Sequence, residues 1–161
     1  MHKYIFLLVF ITLFIACDSN IVVSKNKTVV GVWNKENAIK FEIPQLDSLK
    51  TYNVFVNIRN TNDYKYNNIF LIVEMDFPHG KVITDTLEYK MANPDGSWLG
   101  TGIGSVKENK LWYKENVSFS EEGIYNISIS QAVRNNGNVE GVTNLEGITD
   151  VGFSIEESIQ E

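Results

Sequence analysis

Tyr52-Asn53-Val54-Phe55-Val56-Asn57-Ile58 places Tyr52, Val54, Val56 and Ile58 at every second position. A period of two sets these four on one face of an extended strand, whereas a helix would spread them around its circumference. The same alternation runs through Ala38 to Ile43, where Ile39, Phe41 and Ile43 oppose Lys40 and Glu42 until Pro44 stops the run. It returns in Tyr125, Ile127 and Ile129 against Asn126, Ser128 and Ser130, and again in Val151, Phe153 and Ile155.

Between these lies Ile69 to Phe77, almost continuously apolar through Val73, which predicts a central strand buried on both faces. Pro78-His79-Gly80 turns it into Val82 to Met91, and the two read as a hairpin at the heart of the sheet. Thr28 to Trp33, Leu111 to Tyr113 and Val117 to Phe119 add shorter strands. Asn93-Pro94-Asp95-Gly96 and Asn135-Asn136-Gly137 carry turn chemistry. No stretch keeps a period of 3.6 over three turns. About eight short strands spaced by turns predict an antiparallel β-sandwich, with a jelly roll among the arrangements that fit.

The chain opens differently. Tyr4 to Ala16 is an uncharged apolar run behind His2 and Lys3, closed by Ala16 and followed by Cys17, the single cysteine of the 161 residues. The run has the build of a secretory signal and is too short to span a bilayer, which takes about 20 apolar residues. A small residue before a lone cysteine at that point resembles a bacterial lipoprotein signal, in which the thiol is acylated and the cysteine becomes residue one. Leu13 and Phe14 stand near the position such signals reserve for Leu. The other reading is a secreted protein with a spare thiol, a liability where thiols oxidise. The expected organisation is a signal over 1–16, lipidated Cys17 and a tether over 17–27, the sandwich over 28–156 and an acidic tail over 157–161.

Composition narrows the chemistry. The formal net charge is −6, and loss of the signal removes Lys3 but none of the 20 acids, so nucleic acid is not an expected partner. After cleavage and acylation, neither a disulfide nor a cysteine nucleophile remains. Of the two histidines only His79 survives, in a turn, so zinc sites of several His or Cys ligands are excluded. Trp98 to Gly104 has glycines at alternate positions but no helix to follow, so it lacks the setting of a phosphate-binding loop.

Three constellations merit weighing. Tyr64, Tyr66, Trp98, Trp112 and Tyr113 fall in or beside loops with Asn and Asp neighbours, a composition that holds sugar rings; large aromatics are equally the natural filler of such a core. Glu74 and Asp76 share a strand face, and Asp85 or Glu88 across from them would make a carboxylate pair at the spacing of about 5 Å, or ~6.5–9.5 Å, that glycosidases use. They also read as the polar half of a strand end, and no enzymatic activity is expected. Asn60, Asn62 and Asp63 could offer oxygens to calcium, yet these residues crowd loops because they make local turns, and no metal or other cofactor is expected.

Taken together, Val56 to Leu71, Phe77 to Tyr89, Ala92 to Gly102, Val106 to Tyr113 and Asn144 to Phe153 resemble the GldH gliding-motility lipoproteins of Bacteroidota in order and spacing. The resemblance runs from Cys17 to about Ile155. It implies an accessory lipoprotein needed for gliding and linked to type IX secretion, non-catalytic, with other gliding and secretion proteins as partners and the bilayer reached through acylated Cys17. Asp18 alone follows the cysteine, where surface-exported lipoproteins of that phylum carry several acids, which leans toward the periplasmic face. The phylum's Asp-Ser/Thr-apolar glycosylation pattern fits Asp47-Ser48-Leu49 and Asp85-Thr86-Leu87, making Ser48 and Thr86 candidate O-glycosylation sites. The competing class is an envelope glycan- or peptidoglycan-binding module.

Overall fold

The computed structural model describes residues 20–159. Its strands are β1 (Ile21–Thr28), β2 (Trp33–Asn34), β3 (Ile39–Ile43), β4 (Tyr52–Asn60), β5 (Asn68–Asp76), β6 (Val82–Lys90), β7 (Lys107–Val117), β8 (Tyr125–Gln131), β9 (Asn144–Leu145) and β10 (Ile148–Glu157). One antiparallel sheet runs β1-β10-β4-β7, the other β3-β8-β5-β6, and β2 pairs with β9 apart from both. Leaving β2 and β9 aside, each successive strand crosses to the opposite sheet except at the β5–β6 hairpin. That is the connectivity of an eight-stranded jelly roll, and the expected sandwich is the fold.

The alternation read in the sequence does what it predicts. Val54, Val56 and Ile58 of β4 and Val151, Phe153 and Ile155 of β10 face Ile127 and Ile129 of β8 and Leu71 and Val73 of β5, all fully buried. Phe41 crosses the interior to Phe153, their ring centroids 5.3 Å apart. Each large apolar side chain buried in this way contributes about 2–3 kcal/mol.

The segment read as a tether belongs largely to the fold. β1 pairs along its length with β10, from Ile21 opposite Glu156 to Thr28 opposite Asp150. Hydrophobic pattern could not reveal it, because only Val23 of this edge strand is buried. Lys25 and Lys27 point inward yet reach past the core to the other sheet's edge, donating to Glu42 O at 2.8 Å and Lys40 O at 2.6 Å. Lysines on edge strands are a usual guard against edge-to-edge pairing. The acidic tail likewise starts inside β10: Glu157 N–H donates to Asn20 O and Ser158 N–H to Thr51 O, both at 2.9 Å.

The opposite flank is clasped by side chains. The Tyr89 hydroxyl donates to Trp112 O, and Asp85 Oδ2 receives both the Tyr113 hydroxyl at 3.0 Å and Lys114 Nζ at 2.8 Å.

β5 is not buried on both faces. It alternates, with Ile69, Leu71, Val73 and Met75 inside and Phe70, Ile72 and Glu74 on the outer surface. Its partner β6 is an edge strand, so the hairpin sits at the rim of its sheet. The strands covered on both sides are β4, whose outward Phe55 is only 4% exposed, and β10, buried continuously from Val151 to Ile155. The Trp112 ring lies beside Phe55 at 4.4 Å between centroids, and Lys110 Nζ sits 4.1 Å from the Phe55 ring centre. Leu111 to Tyr113 belongs to β7, which runs on to Val117, while Phe119 lies beyond it and is buried.

Candidate functional site

Register defines two ends of the sandwich. Asn60 lies opposite Ile148 and Lys107, and Leu71 opposite Gln131 and Leu87, so the loops after β4, β6 and β8 open at one end. The start of β1, the start of β4 and the finish of β10 lie at the other.

At the loop end the aromatic residues meet. Trp98 donates its indole N–H to Asn62 Oδ1 at 2.9 Å, and its ring lies 6.2 Å from that of Tyr64. Tyr64 is edge-on to Tyr66 at 5.6 Å, and the Tyr66 hydroxyl donates to Asn135 Oδ1 at 2.9 Å. Lys65 and Glu146 pair at 2.6 Å across the same surface. That ammonium holds the Glu146 carboxyl below its usual range. The loops over 61–67, 91–106 and 132–147 thereby form one surface, from which Ile103 and Val139 project into solvent.

The members of this cluster differ in availability. Tyr64 is 3% exposed and donates its hydroxyl to Asn68 O at 2.7 Å, so its faces serve packing. Burial, then the neighbouring Tyr66, pushes that hydroxyl well above its ordinary pKa. Tyr66 and Trp98 are half-buried. A hollow of about 140 Å³ beside Lys65, Tyr66 and Glu146 is below the roughly 300 Å³ at which ligand pockets begin. Trp112 is elsewhere, on the outer face of the β1-β10-β4-β7 sheet and 54% exposed. Tyr113 is buried against Asp85.

Neither Asp85 nor Glu88 comes across from Glu74 and Asp76. Glu74 faces outward opposite Thr84, whose hydroxyl donates to it at 3.3 Å, while Asp85 pairs with Val73 and lies on the inward face. Glu88 shares the outward face but stands opposite Phe70, four residues along the strand from Glu74. The loop oxygens are likewise committed separately. Asn60 Oδ1 receives Asn109 Nδ2 at 2.9 Å in the interior, Asn62 Oδ1 receives Trp98, and Asp63 Oδ2 receives the Thr61 hydroxyl at 3.2 Å. Among the described residues no three His, Cys, Asp or Glu side chains are grouped to hold a metal ion. His79 sits exposed in the turn after β5, its backbone N–H donating to Glu121 Oε2 at 3.0 Å.

Ser48 lies exposed in the β3–β4 loop, where Asp47 Oδ1 accepts Leu49 N–H at 3.0 Å. Thr86 is exposed in mid-β6, opposite Ile72. Cys17 and the expected signal over 1–16 lie outside the described residues. Sequence reasoning passed over Asn109 and Gly147, which build the loop end from beneath. Asn109 bonds the end of β4, and Gly147 O accepts Thr61 N–H at 2.8 Å. The one available signal for Asn109 was an amide at an inward position of an alternating strand.

These features define a class: an antiparallel jelly-roll sandwich with a loop-built surface at one end. The family model described as GldH lipoprotein matches residues 21–155. The chain is 55% identical over 155 residues to the "Gliding motility lipoprotein GldH homolog" of Christiangramia forsetii, covering 96% of this chain and 95% of that relative. It is 51% identical over 153 residues to the "Gliding motility lipoprotein GldH" of Flavobacterium johnsoniae, covering 95% of this chain and 94% of that one. The chain belongs to the GldH lipoprotein family, the family it resembles in its sequence, and is by that membership a gliding-motility lipoprotein of the membrane-anchored kind. No solved structure matches it.

Proposed function

We propose that the protein is a non-catalytic scaffold of the gliding and type IX secretion machinery, fixed to its membrane by acylated Cys17 and facing the periplasm. The observation that carries this reading is the convergence of the Asn-rich loop after β4 with the Gly-rich loop after β6. The Trp98 to Asn62 bond ties the two together at the end away from the start of β1. A rigid sandwich holding adaptable loops away from an anchor is suited to contacting other proteins. Ile103, fully exposed at the loop tip, is an apolar contact point with no partner inside the chain among the described residues.

Crosslinking from a photoreactive residue at position 103 in living cells tests the reading. Recovery of gliding or secretion components, lost when the exposed Leu99 and Val139 are changed to Asp with the probe kept at 103, is the expected result. Recovery of none of them would remove the scaffold role. Palmitate labelling that disappears in Cys17→Ser checks the anchor separately.

One observation favours an envelope glycan module as the second reading. Trp112 presents an exposed ring beside Phe55 on a sheet face that also carries Asn53, Asn57 and Lys110. Titration with peptidoglycan and outer-membrane polysaccharide, with Trp112→Ala as the control, separates this reading from the first.

A further inference from the structure

At the anchor end, Ile21, Val22, Leu49 and Ile159 line one open groove together with Lys50. Their relative exposures are 45%, 47%, 94% and 76%, so four large apolar side chains meet solvent within one corner. The corner is held in shape. The turn carrying Leu49 closes through Lys50 N–H to Asp47 O at 3.2 Å, and Ser158 N–H to Thr51 O and Glu157 N–H to Asn20 O bind the chain ends beside it.

Because β1 begins at Ile21, only Asp18 and Ser19 separate Cys17 from Asn20, the first described residue. Three Cα steps fully extended reach about 11 Å. The polar layer of one leaflet is roughly 5–8 Å thick, taking a hydrocarbon core of about 30 Å within about 40–45 Å overall. A lipid on Cys17 therefore brings this corner to the bilayer surface.

We propose that the Ile21, Val22, Leu49 and Ile159 corner is a bilayer-docking face, seated in the headgroup layer so that the sandwich stands on its anchor with the loop end pointing away. This rests on the acylated Cys17 reading. The occupant is the lipid surface, because the chain outside the described residues is too short to hold the corner clear of it. The contact is apolar in kind. Lys50, the cation of the groove, is paired with Glu157 at 2.8 Å, and Asp47 lies beside it, so no excess positive charge seeks anionic lipid. Leu49 and Ile159 would enter the boundary of headgroup and acyl chain as interfacial apolar residues do.

The test uses the full lipidated protein in phosphatidylethanolamine–phosphatidylglycerol vesicles. Acylation removes the only native thiol, so cysteines introduced as Leu49→Cys or Ile103→Cys can each carry a fluorophore, and both positions are exposed enough for folding to be untouched. Nitroxide-bearing lipid is expected to quench the label at 49 several-fold more than the label at 103, with little change between low and high salt. Equal quenching at the two positions in vesicle-bound protein overturns the docking face while leaving the anchor intact. Disulfide pairing of 49 to 49 between copies in the vesicles would assign the corner to a second copy and also overturn it. Hexose on Ser48 in the mature protein, which would hold Leu49 off the surface, does the same. Mass spectrometry of the N-terminal peptide showing an unmodified Cys17 marks failure of the anchor itself.

Discussion

Asp85 on β6 accepts the Tyr113 hydroxyl of β7 at 3.0 Å, one edge strand of each sheet joined across the open flank of the sandwich. Lys114, at 2.8 Å, holds the Asp85 carboxyl below its usual pKa; partial burial opposes this and the Tyr113 bond assists it. A carboxylate whose folded pKa is depressed contributes stability in full above its unfolded value near 3.9, and loses it as pH falls through the folded value. Asp85→Asn should therefore cost about 1 kcal/mol at pH 7, since the site is about a third exposed. The gap to the parent protein should close below pH 4, as read by urea unfolding at a series of pH values.

Asn60 is wholly buried and takes its donor from Asn109, which also donates to Ile58 O at 3.1 Å. Asn109→Leu strips Asn60 Oδ1 of that donor in the interior, a loss of about 1–3 kcal/mol. Adding Asn60→Leu removes the orphaned acceptor too. The double variant should then be less destabilised than the two single losses summed, giving a measurable coupling in a double-mutant cycle.

Much of this architecture was legible in alternation and some of it was not, for reasons that can be named. Val54, Val56 and Ile58 announced their face because the core needs a row of apolar groups at period two. Phe55 between them looked like a lapse, yet Trp112 and Lys110 cover it from the neighbouring strand, and no local pattern records a cross-strand roof. β1 was hidden because Lys25 and Lys27 span the sandwich edge with their stems and so read as solvent positions. Phe70 and Ile72 made β5 look buried on both faces, whereas they form an apolar patch on an outer surface. Among candidate site residues, Tyr64, Tyr66 and Trp98 were recognisable as loop aromatics, but that they meet, and that Trp112 does not join them, follows only from the fold. The face taken by Asp85 was not recognisable, because it follows from the pairing register of the β5–β6 hairpin rather than from residue type.

Gly147 and Gly104 share nearly the same φ, +80° and +83°. They differ in surroundings. A Cβ on Gly147 would lie 2.1 Å from Tyr64 N and 2.5 Å from its Cα, whereas one on Gly104 meets nothing within 4 Å. Gly104→Ala should thus show only the left-handed backbone penalty of about 1–2 kcal/mol. Gly147→Ala adds a collision with main chain that cannot step aside, for about 2–4 kcal/mol. Faster hydrogen exchange over residues 61–67 should accompany the second substitution and not the first.

Three tyrosines make the protein sensitive to alkali. Burial, followed by Tyr66, raises the Tyr64 hydroxyl, and burial followed by the Asp85 carboxylate raises Tyr113 and lifts Tyr89 to about 12. Raised folded pKa values mean that the native chain keeps protons which the unfolded chain, titrating near 10, gives up. Their contribution is whole below pH 10 and is lost as pH climbs from there toward each folded value. Stability should fall by up to about 1.4 kcal/mol per pH unit for each tyrosine in that window. Tyr64→Phe should cost about 1 kcal/mol at pH 7, for the lost bond to Asn68 O, while flattening the alkaline slope by one proton. Denaturant unfolding between pH 9 and 12, with tyrosinate absorbance followed in parallel, reads both effects; an unchanged slope in Tyr64→Phe would mean that this hydroxyl ionises in the folded protein as freely as in the unfolded chain.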